Sequence, residues 1–402
     1  MLNKFVDYFM RKRHPWRHIE FDALAEIYTS MSLRSLGFSL IGIFVPVYLH
    51  QNGVHLHSIF YFYIVFFLFR LPVDFCSAYV VGRIGPKHAI GWSTVFYCIF
   101  LFFLLTFTLF SWPLWLLAVL FSLSNGLFFI ALYTDFSKIK NTDHGGKELS
   151  YLLIFERIGA ATGPLIGGLI ATFISPEVTI VSAIVVLIGS QIPLLLSGEP
   201  VRTKQHITFK GFPWKAFTRD YVALGAHGMD RIAHLIAWPL LLSVTVFATE
   251  PYAKLGALVA FTTLVSLLVA RAFGRLIDAR RGRELLHFGT YCNAFLHCAR
   301  SFSITPVSAV TVSAVSEPVT LAYSMSIVKA FYDRSDTIEG YRIVYLATAE
   351  MVAATAKLLY FTVLFVASFY FDPIAVLTWS FVVVGVMSSG VLFQRFPALK
   401  RV

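Results

Sequence analysis

Residues 57–81 read HSIFYFYIVFFLFRLPVDFCSAYVV. Arg70 and Asp74 are the only Asp, Glu, Lys or Arg residues in this run, which aromatic and aliphatic side chains dominate. A helix that crosses a bilayer needs about 20 mostly apolar residues, so this stretch is long enough to span. Comparable runs lie near 27–50, 89–110, 113–134, 150–174 and 177–197, and then near 220–248, 253–273, 285–303, 305–329, 342–370 and 372–393. The weakest is 285–303, which His287, Asn293, His297 and Arg300 interrupt. Composition agrees: the 402 residues are 57% hydrophobic and only 14% charged, with 40 Phe and 7 Trp, where a soluble domain carries roughly 25% charged residues. A soluble chain this apolar would expose association-prone patches. The expected fold class is an all-α integral membrane protein of about twelve transmembrane helices.

Basic residues predict the topology. One set of connections carries Lys4, Arg11, Lys12, Arg13 and Arg17, then Arg83 and Lys87, then Lys138, Lys140 and Lys147. The set continues with Arg202, Lys204, Lys210, Lys215 and Arg219, then Arg275, Arg280, Arg281 and Arg283, then Arg334 and Arg342, and ends with Arg395, Lys400 and Arg401. The alternate connections, around Gly53, Trp112, Pro176, Pro251 and Pro373, are nearly bare, with Lys254 and Arg300 the exceptions. Lys and Arg concentrate on the cytoplasmic side, so both termini are expected there. The net charge of +11 is read as this topology signal and not as a nucleic-acid surface. Leu2, Phe5, Val6, Phe9 and Met10 precede Arg11, Lys12 and Arg13. That order is wrong for a signal peptide and fits a short amphipathic segment, residues 1–20, lying on the membrane.

The one long inter-span loop, 199–219, divides the chain into an N-terminal half (21–198) and a C-terminal half (220–394), with a cytoplasmic tail at 395–402. Landmarks recur at nearly one offset: Arg34 with Arg231, Gly85 with Gly282, Asp135 with Asp333, and Glu156 with Glu350. Parallel six-span repeats about an axis along the membrane normal are a recurring transporter architecture.

The loops after spans two and eight read Ala78-Tyr-Val-Val-Gly82-Arg83-Ile-Gly85-Pro86-Lys87 and Gly274-Arg-Leu-Ile-Asp278-Ala-Arg-Arg281-Gly282-Arg283. Both resemble the loop signature of the major facilitator superfamily, a tight glycine turn holding basic side chains at helix ends. Gly82 stands where the first loop should have its Asp, which leaves Asp74, two turns back, to take that place. The fifth span carries Gly159-x-x-x-Gly163-Pro164-x-x-Gly167-Gly168. It is similar to the fifth-span signature of drug/proton antiporters in that superfamily. Small residues at this spacing also serve a close helix crossing with no bearing on transport direction.

Ionisable groups inside spans cost several kcal/mol and are functional candidates. Arg34 lies in span one, and Arg70 and Asp74 form an i,i+4 couple in span two. Glu156 lies in span five, and Asp230, Arg231 and His234 sit in the middle of span seven. Glu317 is near the midpoint of span ten, while Glu350 and Lys357 share a face of span eleven. By the family resemblance, spans one, four, seven and ten line a central cavity. Arg34, Asp230, Arg231, His234 and Glu317 would then face the substrate path, with Glu156 and Lys357 within reach of it. Glu317 is the first choice for a proton carrier because its own helix offers no basic neighbour within a turn. Asp230 is second, on the expectation that adjacent Arg231 points elsewhere and leaves it unpaired. An interhelical ion pair is the alternative for each.

Cys76, Cys98, Cys292 and Cys298 fall in apolar stretches without CxxC spacing, so neither metal nor cofactor is expected. A GxxxxGK[ST] loop, HExxH and GxSxG are lacking, which argues against ATP-driven transport and against a membrane-embedded transferase. The function expected is secondary active transport of a small molecule by alternating access. Protons are the expected coupling ion, efflux is favoured, and the chain is expected to act as a monomer in a bacterial inner membrane. Uptake of an organic anion, which Arg34 and Arg231 would suit, and lipid or lysolipid flipping stay open within the same class.

Overall fold

The computed structural model describes residues 18–139, 145–195, 207–277, 281–336 and 340–399, with side chains described over 29–134, 158–193, 207–270, 272–277, 281–335, 340–397 and 399. Residues 1–17, most of the inter-half loop, Asp278 and the last three residues lie outside this set, as do the side chains of Asp135, Lys138, Lys147 and Glu156.

The helices of the described chain form twelve columns. In the first half, α1 (His18–Ile41) continues through a tight turn at Gly42–Phe44 into Val45–Gln51. It is followed by α2 (Leu56–Ile84), α3 (Pro86–Leu105), α4 (Leu114–Ile139), α5 (Gly145–Phe173) and α6 (Pro176–Gly189). In the second half, α7 (Trp214–Ile232) passes through a wide π-type turn at Ala233–Ala237 into Trp238–Val244. Then come α8 (Pro251–Leu276), α9 (Gly282–Arg300), α10 (Pro306–Asp336), α11 (Arg342–Ala367) and α12 (Pro373–Ser388). Helix starts follow local chemistry. Proline occupies the first turn of α3, α6, α8 and α12, where its missing N–H costs nothing. Ser175 and Asp372 cap α6 and α12 by accepting from the backbone N–H of Val178 at 3.3 Å and of Ala375 at 2.9 Å.

Among the described residues, eight helices are long and apolar enough to cross a membrane. Of the other columns, α5 has its side chains described only from Ile158, and α7, α9 and α10 carry Asp230, His234, His297, Arg300 and Glu317. Helices α2, α7 and α10 run past the apolar windows read from sequence, because a helix continues where it leaves the bilayer as long as its backbone stays paired. The surface is inside out: Leu268, Phe295 and Val307 are exposed, as lipid-facing residues must be.

The two six-helix halves repeat one packing plan. In the first, α1 packs on α5 and α6, α2 on α4, and α3 on α4 and α6; adding six to each number gives the contacts of the second. The halves meet along α2 with α11 and α5 with α8, a pair of contacts that the same operation exchanges.

The fifth-span glycines account for two of these contacts. Methyl groups at Gly159 and Gly163 would lie 2.6 Å from the Ser32 carbonyl oxygen and the Ser39 Cβ of α1. One at Gly167 would overlap the Leu40 carbonyl, and one at Gly168 the Tyr252 carbonyl of α8. Gly256 of α8 is pressed equally closely on the Pro164 carbonyl. The glycine run is therefore a double crossing, one face against its own half and the other against the opposite half.

Gly85 makes the expected turn between α2 and α3: its φ is +90° and its N–H donates to the Val81 carbonyl at 3.0 Å. Gly282 differs, with φ outside the left-handed region and a snug fit against Leu399. Arg281 pairs with Glu284 at 3.0 Å. Asp74 does not serve the first loop. It is fully buried against α4 and held by Arg70, because a carboxylate this deep in the helix reaches its own i−4 neighbour before any loop residue.

Candidate functional site

Two polar clusters occupy the interior. The first lies where the halves meet. Arg70 of α2 makes two bonds to Asp74, Nε to Oδ1 at 2.9 Å and Nη2 to Oδ2 at 3.1 Å, and a third from Nη2 to Glu350 of α11 at 3.1 Å. Tyr133 of α4 donates its hydroxyl to the other Glu350 oxygen at 3.3 Å. One guanidinium thus ties a carboxylate of each half together. Aromatic pairs flank the tie along the α2–α11 seam, Tyr63 with Phe361 at 4.7 Å and Tyr61 with Phe365 at 6.2 Å. On its other side Tyr133 packs on Phe331 and Tyr332 of α10.

Substitutions here should be asymmetric. Arg70→Gln leaves two buried carboxylates without the guanidinium that joins them, while Glu350→Gln leaves the Arg70–Asp74 pair intact. Breaking a buried pair from one side costs about 3–5 kcal/mol, against about 1 kcal/mol for one neutralised hydrogen-bond acceptor. Thermal unfolding of the purified variants in detergent should therefore show a clearly larger drop for Arg70→Gln; equal drops would contradict this reading of the tie.

Beside it lies a small cavity of about 70 Å³ lined by Tyr133, His227, Arg231, Phe331, Glu350 and Lys357, among others. It is walled by α4, α7, α10 and α11 and so touches both halves. Arg231 is exposed and Lys357 half-buried.

The second cluster belongs entirely to the second half. Asp230 of α7 accepts at Oδ1 from Asn293 Nδ2 at 2.6 Å and from His297 Nε2, both on α9. Arg300, one turn further along α9, contacts His297 Nδ1 at 3.0 Å and His234 Nδ1 of α7 at 2.7 Å. His234 Nε2 in turn reaches Glu317 Oε2 of α10 at 2.8 Å. His234 sits in the π-type turn of α7, a local widening often found at functional positions.

Hydrogen-bond direction orders both rings. A guanidinium only donates, so each Nδ1 facing Arg300 must accept, and each Nε2 carries the proton it gives to a carboxylate. Both rings thus present Nδ1 to Arg300 and Nε2 to a carboxylate. Among the described residues Arg300 bonds to no carboxylate directly, and its charge is balanced through the two rings by Asp230 and Glu317. A proton added to either ring would set an N–H against an Arg300 N–H. A proton entering the cluster with Arg300 in place would therefore have to go to a carboxylate.

The sequence-based candidates scatter over these sites. His234, Asp230 and Glu317 come together in the second cluster. Arg231, Glu350 and Lys357 line the cavity, and Arg70 and Asp74 form the tie. Arg34 stands apart from the cavity, buried against α3, where it donates to Ser93 at 3.1 Å and to Thr94, with its guanidinium 3.9 Å from the centre of the Phe128 ring. Asp230 is not left unpaired: Arg231 does point elsewhere, but α9 supplies Asn293 and His297. Glu317 likewise has a basic partner, from α7 and not from its own helix. Sequence reading passed over Asn293, His297 and Arg300 as interruptions of a weak span, although spacings of four and three place them on one face of α9.

An all-helical membrane bundle of two matched halves, with its ionisable groups gathered at the core, has the build of a transporter. A family model described as Major Facilitator Superfamily matches residues 27–399, and the chain belongs to that superfamily of membrane transporters. Curated proteins yield no match to the chain.

Proposed function

We propose that this transporter is a secondary active carrier that moves a small molecule by alternating access and couples that movement to protons through the second-half cluster. One observation carries the reading: an unbroken chain of hydrogen bonds runs Asp230–His297–Arg300–His234–Glu317, linking α7, α9 and α10. Glu317 and His234 keep 19% and 17% of their side-chain surface accessible, while Asp230 and His297 are sealed. The proton would accordingly enter at Glu317. Neutralising Glu317 removes one of the two charges that balance Arg300, so Arg300 is drawn toward the Asp230 side and its hold on His234 weakens. His234 belongs to the turn that bends α7, so the proton's presence alters how α7 sits on α10. The α2–α11 and α5–α8 seams are the surfaces about which the halves would rock, with the Arg70–Glu350 tie made in one conformation and broken in another. The basic end is assigned to the cytoplasm by the distribution of Lys and Arg.

The test is proton movement into proteoliposomes that hold a pH-sensitive dye, challenged with a mixed panel of organic anions, cations and neutral amphiphiles. A compound-dependent proton flux is the expected result, and its sign gives the direction of coupling. Compound transport with no proton movement at any imposed pH gradient would overturn the coupling.

A further inference from the structure

Neither Arg231 nor Lys357 has a hydrogen bond or ion pair among the described residues. Both line the cavity between the halves. Lys357 is laid flat over Gly228, whose missing side chain leaves the space: a methyl there would come within 3.2 Å of Lys357 Cε. Its ammonium stands 5.7 Å from the centre of the Phe67 ring. A third unfilled group faces the same space. His227 is 91% buried, its ring is set edge-on against Tyr323, and its Nδ1 finds no partner among the described residues.

Among the described residues Glu350 is the one carboxylate lining the cavity, and its two oxygens accept from Arg70 and Tyr133. Asp74 is held by Arg70 behind it. Among the described residues, Arg231 and Lys357 thus face the empty space with no ion pair of their own, and the carboxylate that shares their wall, Glu350, is already bonded to Arg70 and Tyr133. A cleft wall carrying two like charges concentrates counter-ions, so a ligand that supplies negative charge is favoured there. The room, about 70 Å³, is that of about two water molecules. It admits a carboxylate or phosphate head, which a guanidinium fork matches in two parallel bonds. Leu224, Ile327, Val328 and Phe331 form the apolar part of the wall.

We infer that the substrate of this transporter is an oxyanion on a small apolar body, with its carboxylate or phosphate held between Arg231 and Lys357 and beside His227. This rests on the transport reading above and names the substrate class for it.

The test reads the charge preference of the cavity without needing protons or the substrate. In a full-length chain with Cys76, Cys98, Cys292 and Cys298 replaced by Ser, Val328→Cys places a thiol in the cavity wall. Its rates of modification by anionic sulfonatoethyl and cationic trimethylammonioethyl methanethiosulfonate are compared, each normalised to the exposed loop variant Ala248→Cys. The anionic reagent should be favoured by on the order of tenfold or more, as charge-lined clefts favour their counter-ions. Adding Lys357→Gln or Arg231→Gln should each cut that preference several-fold. Equal rates, a cationic preference, or no reaction with either reagent would overturn the inference. Stabilisation of the purified protein against heat by benzoate, succinate, glycerol phosphate or phosphatidylglycerol headgroup then separates carboxylate, free phosphate ester and lipid as sources. Protection by tetraphenylphosphonium alone would overturn it too. If the cavity prefers anions but no proton moves with transport, the coupling proposal fails and the substrate class stands.

Discussion

Glu317→Gln should abolish uphill transport while leaving exchange of the same compound across the membrane intact. The substituted amide keeps the size of the side chain and can still accept from His234 Nε2 through its carbonyl oxygen, so α7 and α10 stay joined. What is lost is the ability to alternate between charged and neutral. Removing a positioned acid–base group typically costs 10²–10⁴-fold in the step that uses it, so accumulation driven by a pH gradient is expected to fall by about two orders of magnitude. Counterflow, which needs only the rocking of the halves, should remain within a few-fold of the parent. Measuring both in the same proteoliposomes separates the two demands. Retained gradient-driven accumulation in the variant would remove Glu317 from the proton path and leave it as a structural partner of His234.

The second large effect is on folding. Gly167→Ala places a methyl group into the backbone carbonyl of Leu40, where no side chain can yield. Helices in a membrane associate by close packing and not by exclusion from water, so separating α5 from α1 forfeits the contact that builds the first half. Overpacking a core costs typically 1–3 kcal/mol and occasionally more, and a clash with backbone belongs at the upper end. The expected outcome is loss of monodisperse protein on size exclusion. Gly189→Ala is the control: nothing lies within 4 Å of its added methyl, so that variant should elute like the parent. Equal behaviour of the two would mean that the α1–α5 crossing is looser than its geometry states.

The bundle itself was readable because each span must be apolar along its length, and that property survives in a one-dimensional string. The Arg70–Asp74 pair was readable for a related reason, since an i,i+4 spacing determines a contact within one helix. Glu317 shows where this stops. Its partner His234 lies 83 residues away, and nothing on its own helix announces it. The same holds for Asp230, expected to be unpaired from its neighbours in sequence and taken up by α9 in space. Span nine is instructive in another way. Asn293, His297 and Arg300 weakened its apolar signal and were read as flaws, yet a polar stripe of one face is what a helix facing a buried ionisable cluster has to carry. Arg34 and Arg231 share a position in the two halves and nevertheless differ: one is sequestered by Ser93 and Thr94, the other opens on the cavity. A duplicated backbone fixes where a side chain starts, and the neighbours that diverged since decide where it ends.

Infrared difference spectroscopy of the protein in lipid nanodiscs tests the coupling claim most directly. A panel compound that drives proton flux would be added to the parent and to Glu317→Gln, and the carbonyl stretch of protonated carboxyl groups recorded. The account predicts a compound-induced change in that band in the parent and its disappearance in Glu317→Gln. An identical band in both proteins, or none in the parent, would contradict proton coupling through Glu317.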